Sequence, residues 1–180
     1  MKIYRYKADP DNYAIELVED YSDGEWVISS QFNQGRLLAS SWHPVEFRAD
    51  MPRGKVGDFP KPHLSIPVFS EEAWNTLGPL IKNDTEALPL IGPDGNYFAI
   101  NVFRIVECLD LSRAEVTKRL GGRVAKVVTY CFKPGCLDGL NMFLLPETIG
   151  LEVLVSEHFK NCVEANSLEG LRFIPINMAE

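Results

Sequence analysis

The 180-residue sequence has no uninterrupted apolar run approaching the roughly 18 residues of a transmembrane helix. Its opening, MKIYRYKADPDNYAI, has no apolar region long enough for a secretory signal, and the expectation is a cytoplasmic protein. Histidine is scarce, since His43, His63 and His158 stand singly. Cys131 and Cys136 therefore lack the second close pair that a structural zinc site uses, and no metal or other cofactor is expected. Ser70 and Ser156 lack the glycine-flanked elbow of serine hydrolases. Gly121-Gly122-Arg123 lacks both the full glycine spacing and the Lys-Ser/Thr pair of a phosphate loop. His158 and Cys162 are four apart on a helical pattern, but Cys162 shares the apolar stripe of Phe159 and Val163, and papain-like or caspase-like context is missing. No Lys/Arg cluster is interleaved with aromatics, which argues against nucleic acid as a partner.

What the sequence does have is a concentrated negative charge. The formal net charge is -7 from 25 acids and 18 bases. Seven acids, Asp9, Asp11, Glu16, Glu19, Asp20, Asp23 and Glu25, fall in one stretch without a lysine or arginine. Without them acids and bases balance, so the whole excess sits near the N-terminus. Such a face repels phosphate backbones and attracts a basic protein partner, and these seven residues are the candidate partner-binding set. As a solvated edge, the same acids would serve solubility alone.

The local pattern predicts α+β, with mixed or antiparallel sheets, a few short helices and a β-rich N-terminal lobe. Lys2 to Lys7 and Tyr13 to Val18 read as strands around the turn Asp9-Pro10-Asp11, and Trp26 to Ile28 as a third. Ser40 to His63, rich in Pro and Gly, reads as irregular chain. The clearest unit follows: Leu64, Ile66, Val68 and Phe69 have strand character and end at Ser70, after which Glu71 and Glu72 precede Trp74, Leu77 and Ile81 at helical spacing. Ser70 is a helix cap with acids at the positive end of the dipole. The device recurs at Leu151, Val153, Val155, Ser156, Glu157, Phe159 and Val163; aligned on the serines, Ala73 falls on Phe159 and Leu77 on Val163. Pro79 predicts a kink or restarted turn. Leu88-Pro89-Leu90, a turn at Gly92 to Gly95 and a β-rich run from Tyr97 to Val106 come next. Ser112 to Glu115 has capping-box spacing and predicts a short helix stopped by Gly121-Gly122. Arg123 to Phe132 and Leu140 to Leu145 read as a hairpin about Pro134-Gly135, with Cys131 and Cys136 as free cysteines flanking its turn, and Leu171 to Ile176 as a last strand. These elements divide into residues 1–58, a β-rich lobe and linker, and 59–180, the main α+β unit.

Over Phe59 to Pro175 the chain resembles the myxobacterial-type immunity proteins of bacterial polymorphic toxin systems, a family first catalogued as a domain of unknown function. The resemblance is carried by Val68-Phe69-Ser70-Glu71, Leu88-Pro89-Leu90, Tyr97, Asn101-Val102, Cys108-Leu109-Asp110, Val155-Ser156, Phe159, Leu168, Gly170-Leu171 and Phe173, through their order and spacing. It implies a non-enzymatic cytoplasmic protein that binds and blocks a toxin, with no catalytic residue to transfer. The alternative is a small hydrolase-like enzyme of unrecognised type, which would need a cleft with converging polar groups.

Overall fold

A computed structural model describes residues 2–9, 14–18, 31–49, 56–62, 66–92 and 95–179. Strands β1 (Ile3–Ala8), β2 (Ala14–Val18), β3 (Val45–Ala49), β4 (Lys61–Pro62) and β5 (Val68–Ser70) lead into helix α1 (Glu71–Ile81). There follow β6 (Thr85–Ile91), β7 (Asn96–Val102), β8 (Glu115–Lys118), β9 (Val124–Thr129), β10 (Met142–Phe143), β11 (Leu154–Ser156), helix α2 (Glu157–Ala165) and β12 (Leu171–Pro175). They form a four-stranded sheet in the order β10-β11-β1-β12, a six-stranded sheet in the order β4-β2-β3-β6-β7-β5, and the pair β8-β9. The four-stranded sheet is antiparallel, whereas the six-stranded one is mixed, with β2–β4 and β3–β6 parallel. The fold is α+β, as the sequence predicts.

Strands β5, β7, β10 and β11 are mostly apolar because residues on both of their faces are buried. Successive strand residues point to opposite faces. In β1, Ile3 packs with Leu154 and Phe143, while Tyr4 packs with Val155 and Met142. In β5, Phe69 joins the core between the two sheets, while Val68 joins the one on the outer face of the six-stranded sheet. The central core contains α1 through Ala73, Leu77 and Ile81 and α2 through Phe159 and Val163. These are the stripes aligned on Ser70 and Ser156. Phe69 is the hub, with its ring 5.0 Å from Phe59, 6.2 Å from Tyr6 and 6.4 Å from Phe159. Gly92 ends β6 against the edge-on pair Phe47–Tyr97, where a Cβ would come within 2.7 Å of the Tyr97 ring and 2.8 Å of Phe47.

Both strand-to-helix junctions form as the sequence indicates. Ser70 Oγ accepts the Ala73 N–H and Ser156 Oγ the Phe159 N–H, each at 3.1 Å. Each hydroxyl also donates across the fold, Ser70 to Asp58 Oδ1 at 2.9 Å and Ser156 to Asn141 Oδ1 at 2.8 Å. Pro79 lies inside α1 without a restart, because only one turn follows it and the Lys82 N–H reaches the Gly78 carbonyl at 2.8 Å.

Four expectations change. Residues 112–121 hold no helix: Asp110 accepts the Ser112 N–H and hydroxyl in a local turn, and the chain then enters β8, whose partner is β9. Asp110 in that turn wins over the capping box. Leu140 to Leu145 does not answer β9; Met142 and Phe143 pair with β11, where both faces are buried. The stretch read as irregular contains β3 and β4, which the pattern hid because Val45 and Phe47 alternate with Glu46 and Arg48 over only a few residues. Finally, Cys108 and Cys136 form a disulfide with Cα atoms 5.7 Å apart, while Cys131 and Cys162 are free. Cys131 and Cys136 are near in sequence, but the bridge Leu109↔Phe132 brings Cys108 to the turn instead. β1 lies between β11 and β12, and β3 lies beside β6. Trp26 to Ile28 falls outside the described residues.

Two buried tyrosines behave oppositely. Tyr130 donates to Glu152, which also accepts from Arg5 Nε at 2.6 Å, and the Arg5 guanidinium lies 5.5 Å from the Tyr130 ring centre. The Tyr6 hydroxyl is buried without a partner. Tyr130→Phe should therefore cost about 2 kcal/mol, the worth of a hydrogen bond to a charged group, while Tyr6→Phe should be neutral or stabilising in urea denaturation. Burial raises both phenol pKa values above the ordinary one. The unfolded chain then releases these protons first, so stability should be intact below about pH 10 and fall as pH rises beyond it, with a shallower decline in the double Phe variant. A steeper or unchanged decline would contradict the burial of these hydroxyls.

The disulfide gives a second check. Denatured protein kept from reductant should show two titratable thiols, and reduced protein four. Reduction should lower stability by about 3 kcal/mol, given a loop whose ends are 28 residues apart. A melting temperature indifferent to reductant would show that the cross-link is not formed.

Candidate partner interface

Of the seven N-terminal acids, the described residues include two, Asp9 and Glu16. Asp9 follows β1, and its Oδ1 lies 3.0 Å from Arg172 on β12, so this carboxylate is tied to the sheet. Glu16 sits on β2 at the register position opposite Arg48. Asp11, Glu19, Asp20, Asp23 and Glu25 lie outside the described residues. Among described side chains, the structure builds an acidic surface elsewhere, at the first turn of α1.

Asp58 organises this surface. Its backbone carbonyl accepts the Ser70 N–H at 2.8 Å, its Oδ1 accepts the Ser70 hydroxyl, and its Oδ2 accepts the Glu169 N–H at 3.0 Å. One carboxylate thus joins the chain before β5, the start of α1 and the turn before β12. The open groove beside it, about 690 Å³, is lined by Asp58, Glu71, Glu72 and Glu169 together with Asn75 and Asn96, and, among the described residues, by no lysine or arginine. Asn96 Nδ2 donates to Glu71 Oε2 at 3.1 Å, and the Tyr97 hydroxyl donates to the Val56 carbonyl at 2.8 Å, which fixes the far wall. Glu71 and Glu72 lie in the first turn of α1, at the positive end of its dipole. Such a groove offers charge and hydrogen-bond acceptors to a basic group. The Ser70 hydroxyl in this groove is engaged as both donor and acceptor. No group of three or more His, Cys, Asp or Glu placed to hold a metal occurs among the described residues.

These acids went unnoticed as a group because Asp58, Glu71, Glu72 and Glu169 are distant in sequence. The only local signal was the pair of glutamates after Ser70, which capping explains by itself.

The polar residues in the family resemblance have structural duties. Asn101, wholly buried on β7, donates to the Arg36 carbonyl at 2.7 Å and to Glu86 Oε2 at 2.9 Å, and it accepts the Asn33 N–H at 3.0 Å. Asn33, at φ 56°, returns a bond by accepting the Val102 N–H at 3.0 Å. Glu86 in turn accepts the N–H groups of Leu38 and Ala39. The chain around residues 33–39 is thereby fastened to the β6–β7 hairpin. Asp110, held below the usual carboxylate range by its bonds from Ser112, closes the turn before β8.

Residues 90–178 match the model of the Immunity protein family (Imm11). This is the type of family that the sequence resemblance indicated. The matched stretch takes in Tyr97, Asn101, Cys108, Asp110, Ser156, Phe159 and Phe173, and begins after Ser70 and the start of β6. No curated protein matches the chain.

Replacing either cap serine should cost about 1 kcal/mol. Ser70→Ala and Ser156→Ala should each lower the urea midpoint without changing secondary structure by circular dichroism. An unchanged midpoint in both would contradict the caps.

Proposed function

We propose that this protein is a non-enzymatic immunity protein that binds and neutralises a cognate toxin in the cytoplasm of a bacterium carrying a polymorphic toxin system. The observation that carries this reading is the family match over residues 90–178. The acidic groove at α1 and the N-terminal acids support a partner with basic surface. Charge of one sign speeds encounter with the opposite sign, and the benefit falls as salt rises. Of the N-terminal set, Asp11, Glu19, Asp20, Asp23 and Glu25 are the residues proposed for this steering, since Asp9 is already paired with Arg172.

The test is protection. Cells expressing the toxin encoded beside this gene should stop growing, and co-expression of this protein should restore growth and give a complex that co-elutes in gel filtration. Neutralising the five acids together should slow association at low salt and flatten its salt dependence, with little effect on melting. Growth arrest that persists despite abundant folded protein would overturn the function; unchanged association in the five-acid variant would remove only the steering role.

A further inference from the structure

The β8–β9 hairpin carries a charge pattern opposite to the rest of the chain. From Glu115 to Leu137 there are five bases, Lys118, Arg119, Arg123, Lys126 and Lys133, and one acid, Glu115 at the start of β8, which accepts the Thr129 hydroxyl at 3.2 Å, in a protein whose acids outnumber its bases. The first four lie on the hairpin, and all are exposed. Five bases elsewhere form ion pairs among the described residues: Lys2 with Glu157, Arg5 with Glu152, Arg104 with Asp84, Lys160 with Glu164 and Arg172 with Asp9. Among the described residues, none of the four hairpin bases has an ion pair. Leu120 stands at the tip with its side chain fully in solvent (106% exposed).

This hairpin is built to hold that display. On its inner face Val116, Val124 and Val127 pack on the core that contains Tyr130 and Phe143. At its base the Leu109↔Phe132 bridge and the Cys108–Cys136 disulfide fasten the two chain segments. At its tip the Gly122 N–H donates to the Arg119 carbonyl at 3.0 Å, and the Arg119 N–H to the Arg123 carbonyl at 2.8 Å. Gly121 and Gly122, at φ 98° and 82°, make this turn possible, and no atom lies near the place of a Cβ on either. The hairpin thus presents an exposed leucine at its tip on the same element as four exposed bases that, among the described residues, form no ion pair.

We infer that the β8–β9 hairpin is a docking element for an acidic protein surface with an apolar depression: Lys118, Arg119, Arg123 and Lys126 meet carboxylates, and Leu120 fills the depression. The toxin arm of the test rests on the proposed immunity function. Charge complementarity selects an acidic partner. A protein is favoured over nucleic acid because no aromatic side chain stands on the hairpin to stack bases, the nearest, Tyr130, being buried. An interface centre of one apolar anchor within a polar rim is also the usual anatomy of protein recognition. The partner would then be bipolar, with basic surface toward the acidic groove and an acidic patch toward the hairpin, which fixes its orientation as well as its affinity.

Two variants test this, Lys118→Gln/Arg119→Gln/Arg123→Gln/Lys126→Gln and Leu120→Ser, both on exposed positions and both checked for unchanged melting. In a nuclear magnetic resonance titration with poly-L-glutamate, saturable amide shifts should appear over residues 116–126 and vanish in the four-base variant. Tighter saturation of the same amides by a short duplex DNA, or no shift with polyglutamate, would overturn the inference, whatever the outcome of the protection assay. With the toxin, the four-base variant should associate about tenfold more slowly at low salt, and Leu120→Ser should speed dissociation. If the parent protects cells and both variants match its rates, the docking role fails while the immunity function stands.

Discussion

The fold depends on the burial of its central strands on both faces. β1, from the start of the chain, is held between β11 and β12 from its end. Ile3 and Tyr4 are adjacent in sequence but belong to different cores, as do Phe143 and Met142 on β10 and Leu154 and Val155 on β11. A slip of one residue in any of these pairings would exchange the two sets, so the register is determined by packing on both sides at once. The sheet also closes across almost the whole sequence, a loop-closure cost that only the combined burial of both cores offsets.

Between the sheets, the helices enter at a fixed angle because each begins at the last residue of a strand. Ser70 and Ser156 share one design: the hydroxyl accepts an amide of the first helical turn and donates to a side chain from another segment. The cap thus serves as a tertiary bond as well as a local one. In α1 its acceptor is Asp58, and the same carboxylate reaches Glu169, which is how the acidic groove acquires walls from three distant parts of the chain. The geometry of the candidate interface follows directly from a stability device.

Charge is arranged in separate territories. The acids collect at the start of α1 and in the N-terminal stretch, while the hairpin β8–β9 holds exposed bases over a different core. Uniform mixing would serve solubility as well. Segregation of this kind gives a molecule direction in the field of a charged partner.

The sequence by itself determined the α+β class, both serine caps, the apolar stripes Ala73/Leu77 and Phe159/Val163, the strands at Lys2 to Lys7 and Arg123 to Phe132, and the family type, because these rest on periods and capping chemistry within one element. The acids of the N-terminal stretch could be counted but not placed, and Asp9 turned out to serve Arg172. Only the tertiary structure decided the rest. Whether residues 112–121 become helix or strand depends on Asp110 and on the presence of β9 as a partner. Which cysteine faces Cys136 depends on the pairing of Leu109 with Phe132. The groove joins Asp58, Glu71, Glu72 and Glu169, and the buried clamp joins Asn33, Glu86 and Asn101. In each case the residues are far apart in sequence, and their interaction exists only after the strands have paired, so no local pattern could encode it.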